Sequence, residues 1–130
     1  MEPKKKALEA ARLALSKHGH KVVIINIKKL SSVADYLVVC SAESERQVQA
    51  IAEAIEDGLK KKGARPIGVE GARGGRWALI DCNDVVAHVF YEPVRALYDL
   101  EGFWAEAPIQ EMRDRARKAG AARAARKKDA

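Results

Sequence analysis

The sequence predicts an α/β fold, one mixed sheet with helices packed on it, and three observations carry that prediction. Val22-Val23-Ile24-Ile25-Asn26-Ile27 and Tyr36-Leu37-Val38-Val39-Cys40 are β-branched and almost continuously apolar, as strands covered on both faces are. After the second run comes a helix with clear start and stop signals, and then three more short strand patterns. The 130 residues fit a single domain, and 48% hydrophobic content is too much for a disordered chain. The predicted order is α-β-β-α-β-β-β-α.

Each element has a local reason. Residues 4 to 18 read as a helix, with Ala7, Leu8, Ala11, Ala14 and Leu15 on one side and Gly19 placed to end it. Ser44-Glu45-Arg46-Gln47 fits a capping box, in which a serine oxygen and a glutamine side chain satisfy free backbone N–H groups at a helix start. Val48, Ile51, Ala52, Ile55 and Leu59 follow at helical spacing; Lys60 to Lys62 suit the negative end of the helix dipole, and Gly63 supplies a left-handed stop. Residues 66 to 70 form a short third strand and residues 76 to 82 a fourth. Asn83-Asp84 turns the chain into a fifth, Val85 to Phe90. The segment from Tyr36 to Val69 is long enough for a right-handed parallel crossover, and the last two strands read as an antiparallel hairpin. A final helix begins at Glu92-Pro93, with Val94, Leu97 and Tyr98 as its inner face and Gly102 as its end.

Composition narrows the function classes. No apolar run approaches the roughly 20 residues of a membrane span, and the basic start Lys4-Lys5-Lys6 has no apolar core behind it, so a cytoplasmic location is expected. Cys40 and Cys82 sit in apolar strands and read as reduced, buried thiols. The net charge of +6 is uneven: residues 105 to 130 hold eight Lys and Arg against four Asp and Glu, while residues 1 to 104 hold 16 against 14. The segment 109–130 is therefore set apart as a basic Ala/Arg/Lys-rich tail, partly helical or disordered, that is either a solvated helix or an electrostatic arm for RNA. The folded domain is placed at 1–108.

The search for chemistry yields candidates without an assembled centre. His18 and His20 lack a third ligand, and the two cysteines lie on different strands, so neither a metal nor a cofactor is expected. Gly71-x-x-Gly74-Gly75 lacks the Lys-Ser/Thr of a nucleotide loop and reads as a hairpin loop. Asp81, Asp84 and His88 share one hairpin: they are either general acid and base groups or turn residues with a strand histidine. Strand alternation puts Trp77, Leu79 and Asp81 on one face and Ala78, Ile80 and Cys82 on the other, so the Trp-Leu-Asp face suits a protein contact.

Several stretches together carry a resemblance: Leu30-Ser31-Ser32-Val33-Ala34-Asp35-Tyr36, Ser44-Glu45-Arg46-Gln47-Val48, Val69-Glu70-Gly71, Trp77-Ala78-Leu79-Ile80-Asp81, Asp84-Val85-Val86-Ala87-His88 and Tyr98-Asp99-Leu100-Glu101-Gly102-Phe103-Trp104. In this order and spacing the chain resembles the ribosomal silencing factor, or Iojap-like, family over about residues 5 to 108. The resemblance implies a nucleotidyltransferase-like α/β fold without transferase activity, since Ser31-Ser32 lacks the glycine of the Gly-Ser turn. It also implies binding to the large ribosomal subunit through ribosomal protein fourteen, a steric block to small-subunit joining in stationary phase or starvation, and a homodimer when free. Matched to the family's Trp-x-Leu and Asp-x-x-x-His positions, the expected contact has Trp77 and Leu79 at its apolar centre. Asp81, Asp84 and His88 form its polar edge, with Glu70 a further edge residue; no small-molecule substrate is expected. Two other readings remain at this stage: a general RNA binder acting through the tail, and a nucleotidyltransferase-like enzyme using Asp81 and Asp84.

Overall fold

The computed structural model of the chain describes residues 1–113. Its elements are α1 (Pro3–Ser16), β1 (His20–Asn26), β2 (Tyr36–Ala42), α2 (Glu45–Lys61), β3 (Gly68–Glu70), β4 (Trp77–Asp81), β5 (Val85–Tyr91), α3 (Glu92–Tyr98), α4 (Leu100–Phe103) and β6 (Ile109–Met112). All six strands join in one sheet of order β3-β4-β5-β2-β1-β6. The β2–β5 pair is parallel and the others are antiparallel.

The crossover differs from the sequence expectation in where it lands. α2 carries the chain from β2 over β5 and β4 to the sheet edge, so the parallel neighbour of β2 is β5, not β3. Burial decides the placement: β5 is apolar on both faces and takes the centre, while β3 has three residues, none fully buried, and suits an edge.

Helices α1 and α2 cover one face. Ala7, Ala10, Ala11 and Ala14 let α1 lie close to Val22, Ile24 and Val38, while Val48, Ile51, Ile55 and Leu59 of α2 reach Ile80 and Val89. The start of α2 elaborates the capping box. Ser44 Oγ accepts from the Gln47 N–H at 3.1 Å, but Gln47 Oε1 accepts from the N–H of Glu43, one residue earlier than expected. Gln47 Nε2 also donates to the carbonyls of Lys17 and His18, which ties the end of α1 to the start of α2. The left-handed residue after α1 is His18 (φ 62°) rather than Gly19.

On the opposite face Val23, Ile25, Ile27, Leu37, Val39 and Phe90 form a second core, covered only in part by α3, α4 and the residues around Ala107. The last helix is not continuous. Asp99 (φ 42°) breaks it after Tyr98, and the Asp99 side chain caps α4 by accepting from the Gly102 N–H. Of its expected inner face only Val94 is buried; Leu97 and Tyr98 are exposed, and Arg95 is buried in their place. Past Pro108, where a helical or disordered tail was expected to begin, Ile109–Met112 pairs antiparallel with β1 and closes the second edge. The tail expectation from residue 114 onward lies outside the described residues.

Candidate functional site

Three of the expected site residues lie in one row across the sheet. Glu70 is the register partner of Leu79, and Leu79 of His88. Trp77 stands one pleat away opposite Phe90, and Asp81 one pleat the other way opposite Val86. Alternation places all of these on the partly covered face. Trp77, Leu79 and Asp81 are half-buried and Glu70 is exposed.

His88 is not a polar edge residue. It is 8% exposed, and Trp77 Nε1 donates to its Nδ1 at 3.1 Å. Burial lowers its pKa to about 4, so the ring is neutral at physiological pH and keeps its proton on Nε2. Trp77 packs in turn on Phe90 (ring centroids 5.0 Å apart) and on Tyr98 (4.4 Å).

The two aspartates do not form a pair. Asp81 Oδ1 accepts from the N–H of Asn83 and shapes the hairpin turn. Asp84 accepts from Lys6 Nζ at 2.7 Å, and the same ammonium donates to the Cys82 carbonyl. Asp84 therefore staples the β4–β5 turn to α1, and the expectation that it faces a partner beside Asp81 is corrected. Among the described residues no group of three or more His, Cys, Asp and Glu is placed to hold a metal ion.

Sequence reasoning missed what lies beside the row. A groove of about 510 Å³ opens between the β1–β2 connection, β5 and α3–α4, with Ile27, Leu37 and Val86 among its lining residues and His88 beside them. Its rim is apolar and exposed: Val33 is 82% exposed, Phe103 75% and Tyr98 53%. The signal was Asp99, a residue that caps helices and tolerates φ > 0, in a segment read as one helix.

Arg95 holds this wall in place. From α3 its Nη1 donates to Ser41 Oγ (2.9 Å) and to the Lys21 carbonyl (2.7 Å), and its Nε lies 3.4 Å from Glu101 of α4. Lys21 sits at an irregularity in β1 with φ 48°.

Charge is segregated by segment. Residues 77–112 carry seven Asp and Glu against one basic residue, the buried Arg95, whereas residues 1–76 carry 15 Lys and Arg against nine Asp and Glu. The half that forms the groove wall is thus acidic inside a basic chain.

Fold and face together define a small mixed-sheet α/β domain with a half-covered apolar face, an acidic surround and no catalytic cluster assembled among the described residues. The chain belongs to the ribosomal silencing factor family: the family model described as "Ribosomal silencing factor during starvation" matches residues 1–130. A ribosomal silencing factor RsfS of Halalkalibacterium halodurans is 42% identical over 96 residues, covering 74% of this chain and 82% of the relative. One from Bacillus subtilis is 37% identical over 103 residues, 79% of this chain and 87% of the relative. The fold is similar to that of a Chromobacterium violaceum protein of known crystal structure, with TM-score 0.79, 33% identity, and 81% and 88% of the two chains covered. The family description names silencing of ribosomes, and with it regulation of translation, as the function of this group. No described helix is long and apolar enough to cross a membrane.

Proposed function

We propose that the chain is a cytoplasmic translational repressor that binds the large ribosomal subunit through ribosomal protein fourteen and blocks joining of the small subunit by occupying its place. The observation that carries the reading is the family membership, taken with a half-covered apolar face on a domain of 14.3 kDa. An obstacle needs shape and an interface, and about 800 Å² on such a body suffices. Trp77 and Leu79 form the apolar centre, Glu70 and Asp81 the acidic edge toward a basic ribosomal protein, and His88 a buried neutral group behind them. The kinship to nucleotidyltransferases is one of shape, and the divergent roles of Asp81 and Asp84 argue against a shared catalytic pair. When free, the protein forms a homodimer.

The test is co-sedimentation with isolated large and small subunits, followed by a subunit-joining assay. The full chain, a chain ending at Arg113 and Trp77→Ala are compared. Truncation at Pro108 is unsuitable because it removes β6 along with the tail. Large-subunit binding with joining blocked by the shortened chain is the expected result. Residues 113–130 hold eight Lys and Arg against two Asp, which favours a second reading in which the tail binds ribosomal RNA. Equal binding to both subunits, lost with the tail or in moderate salt, would leave only that second reading.

A further inference from the structure

We infer that the groove between the β1–β2 connection, β5 and α3–α4 receives an apolar side chain of a basic protein segment, and that His88 Nε2–H donates to a carbonyl of that segment. The inference rests on the ribosomal-protein reading above and deepens it, moving the specific contact from the Trp77–Leu79 row into the groove beside it.

Size and lining come first. About 510 Å³ lies in the range of clefts that hold a defined ligand group, and the lining is mainly aliphatic and aromatic. The rim residues Val33, Tyr98 and Phe103 stand in solvent although each is apolar in character. Exposed apolar side chains ringing an apolar groove form a contiguous patch of the kind that marks a macromolecular contact.

The polar groups in the groove are few and mostly committed. Ser31 Oγ already accepts from the Val33 N–H at 3.1 Å. His88 Nδ1 is taken by Trp77, so the imidazole has one N–H left, on Nε2, from a residue that lines the groove. A donor fixed in a dry setting discriminates strongly, because a partner without an acceptor there leaves it unpaired. Trp77 is then a positioning residue: it sets the tautomer and the ring plane of the group that reads the partner.

Charge decides the class of partner. Residues 77–112 have seven acidic groups and no exposed basic one. The nearby Lys28 of the β1–β2 connection is held over the Tyr36 ring, 5.1 Å from its centroid. A phosphate backbone is repelled by such a surround, whereas a segment bearing Lys or Arg around one apolar residue is attracted.

The experiment titrates the full chain and its variants against isolated large subunits at fixed salt. Val33→Asp and Phe103→Ala alter exposed side chains and leave the fold intact, which thermal melting checks. Each is expected to weaken binding about tenfold or more, as truncation at a central contact does. His88→Phe should weaken it to a similar extent, while His88→Gln, which keeps an N–H donor near the Nε2 position, should restore most of the affinity. Ile67→Ser, an exposed apolar residue at the far end of β3, is the unaffected control. Full affinity of Val33→Asp and Phe103→Ala, with binding lost in Trp77→Ala, overturns the groove and leaves the silencing reading standing. Equal affinities of His88→Phe and His88→Gln overturn the donor. Failure of the unaltered chain to bind large subunits overturns the silencing reading and this inference with it. Binding governed by salt and by the residues after Arg113, insensitive to the groove variants, assigns the contact to nucleic acid and overturns the inference.

Discussion

The indole N–H of Trp77 lies 3.1 Å from Nδ1 of His88, and this one bond selects the tautomer of a buried imidazole. A doubly protonated ring would set two N–H groups against each other. The consequence is a pH dependence of known sign. Burial lowers the native pKa from 6.5 to about 4, so between those values the unfolded chain takes up a proton that the native chain refuses. Stability is full above the unfolded value and falls by roughly 3 kcal/mol as the pH drops through that interval. Urea titrations at neutral and mildly acid pH measure the fall. His88→Gln, which has no such proton, should lose less stability on acidification than the unaltered chain.

Arg95 is the largest charged group in the interior and its three partners come from three elements. Arg95→Ala leaves the Ser41 hydroxyl and the Lys21 carbonyl without their donor and detaches α3 from the sheet. A loss of about 2–4 kcal/mol is expected, against about 1 kcal/mol for Ser41→Ala. Amide exchange should rise most in α3 and α4, which also form one wall of the groove.

Two glycines of the β3–β4 loop should respond differently to alanine. Gly71 has φ 78°, and a Cβ there would stand 2.1 Å from the Trp77 carbonyl oxygen; at Gly74 the nearest atom would be 3.7 Å away. Gly71→Ala should cost about 2 kcal/mol or more, since strain and collision add, and Gly74→Ala well under about 1 kcal/mol. Thermal denaturation of the pair makes the comparison.

The thiols should be silent in the folded state. Burial pushes Cys40 up to about 12 and Cys82 up to about 11. Neither forms an appreciable thiolate at neutral pH. A colorimetric thiol reagent should count no reactive sulfur in native protein and two after denaturation. Rapid labelling of Cys82 without denaturant would show that the Lys6–Asp84 staple opens readily.

Much of the fold was legible because it is written locally. The run from Ser44 to Gly63 specifies a capped, amphipathic helix without reference to anything else, and the two-sided apolar strands announce the sheet centre. The neighbour of β2 was not legible. Register partners 49 residues apart, such as Tyr36 and Val85, leave no mark in the sequence between them. β6 was hidden for a related reason: Ile109-Gln110-Glu111-Met112 is mostly exposed and is made a strand by the open edge of β1. Of the contact face, alternation gave Trp77 and Leu79 correctly as neighbours. It misplaced His88, whose burial depends on Trp77 and Tyr98 arriving from other elements. It also missed the groove, because Tyr98 and Phe103 read as core until Asp99 is seen to break the helix between them.

The long separation between the two central strands also governs how the chain folds as it is made. The β1–β2 hairpin and α1 are complete once residue 42 is available, and α2 follows by residue 61. The inner edge of β2 has no partner until residues 85–91 emerge. For that interval a nascent chain displays an apolar strand edge with Val38 and Val39 on either side of it. Closing so long a loop is entropically expensive, so the pairing of β5 is the step that sets the folding rate. Chains that stop short of residue 85 keep that edge open and are the species prone to associate with one another.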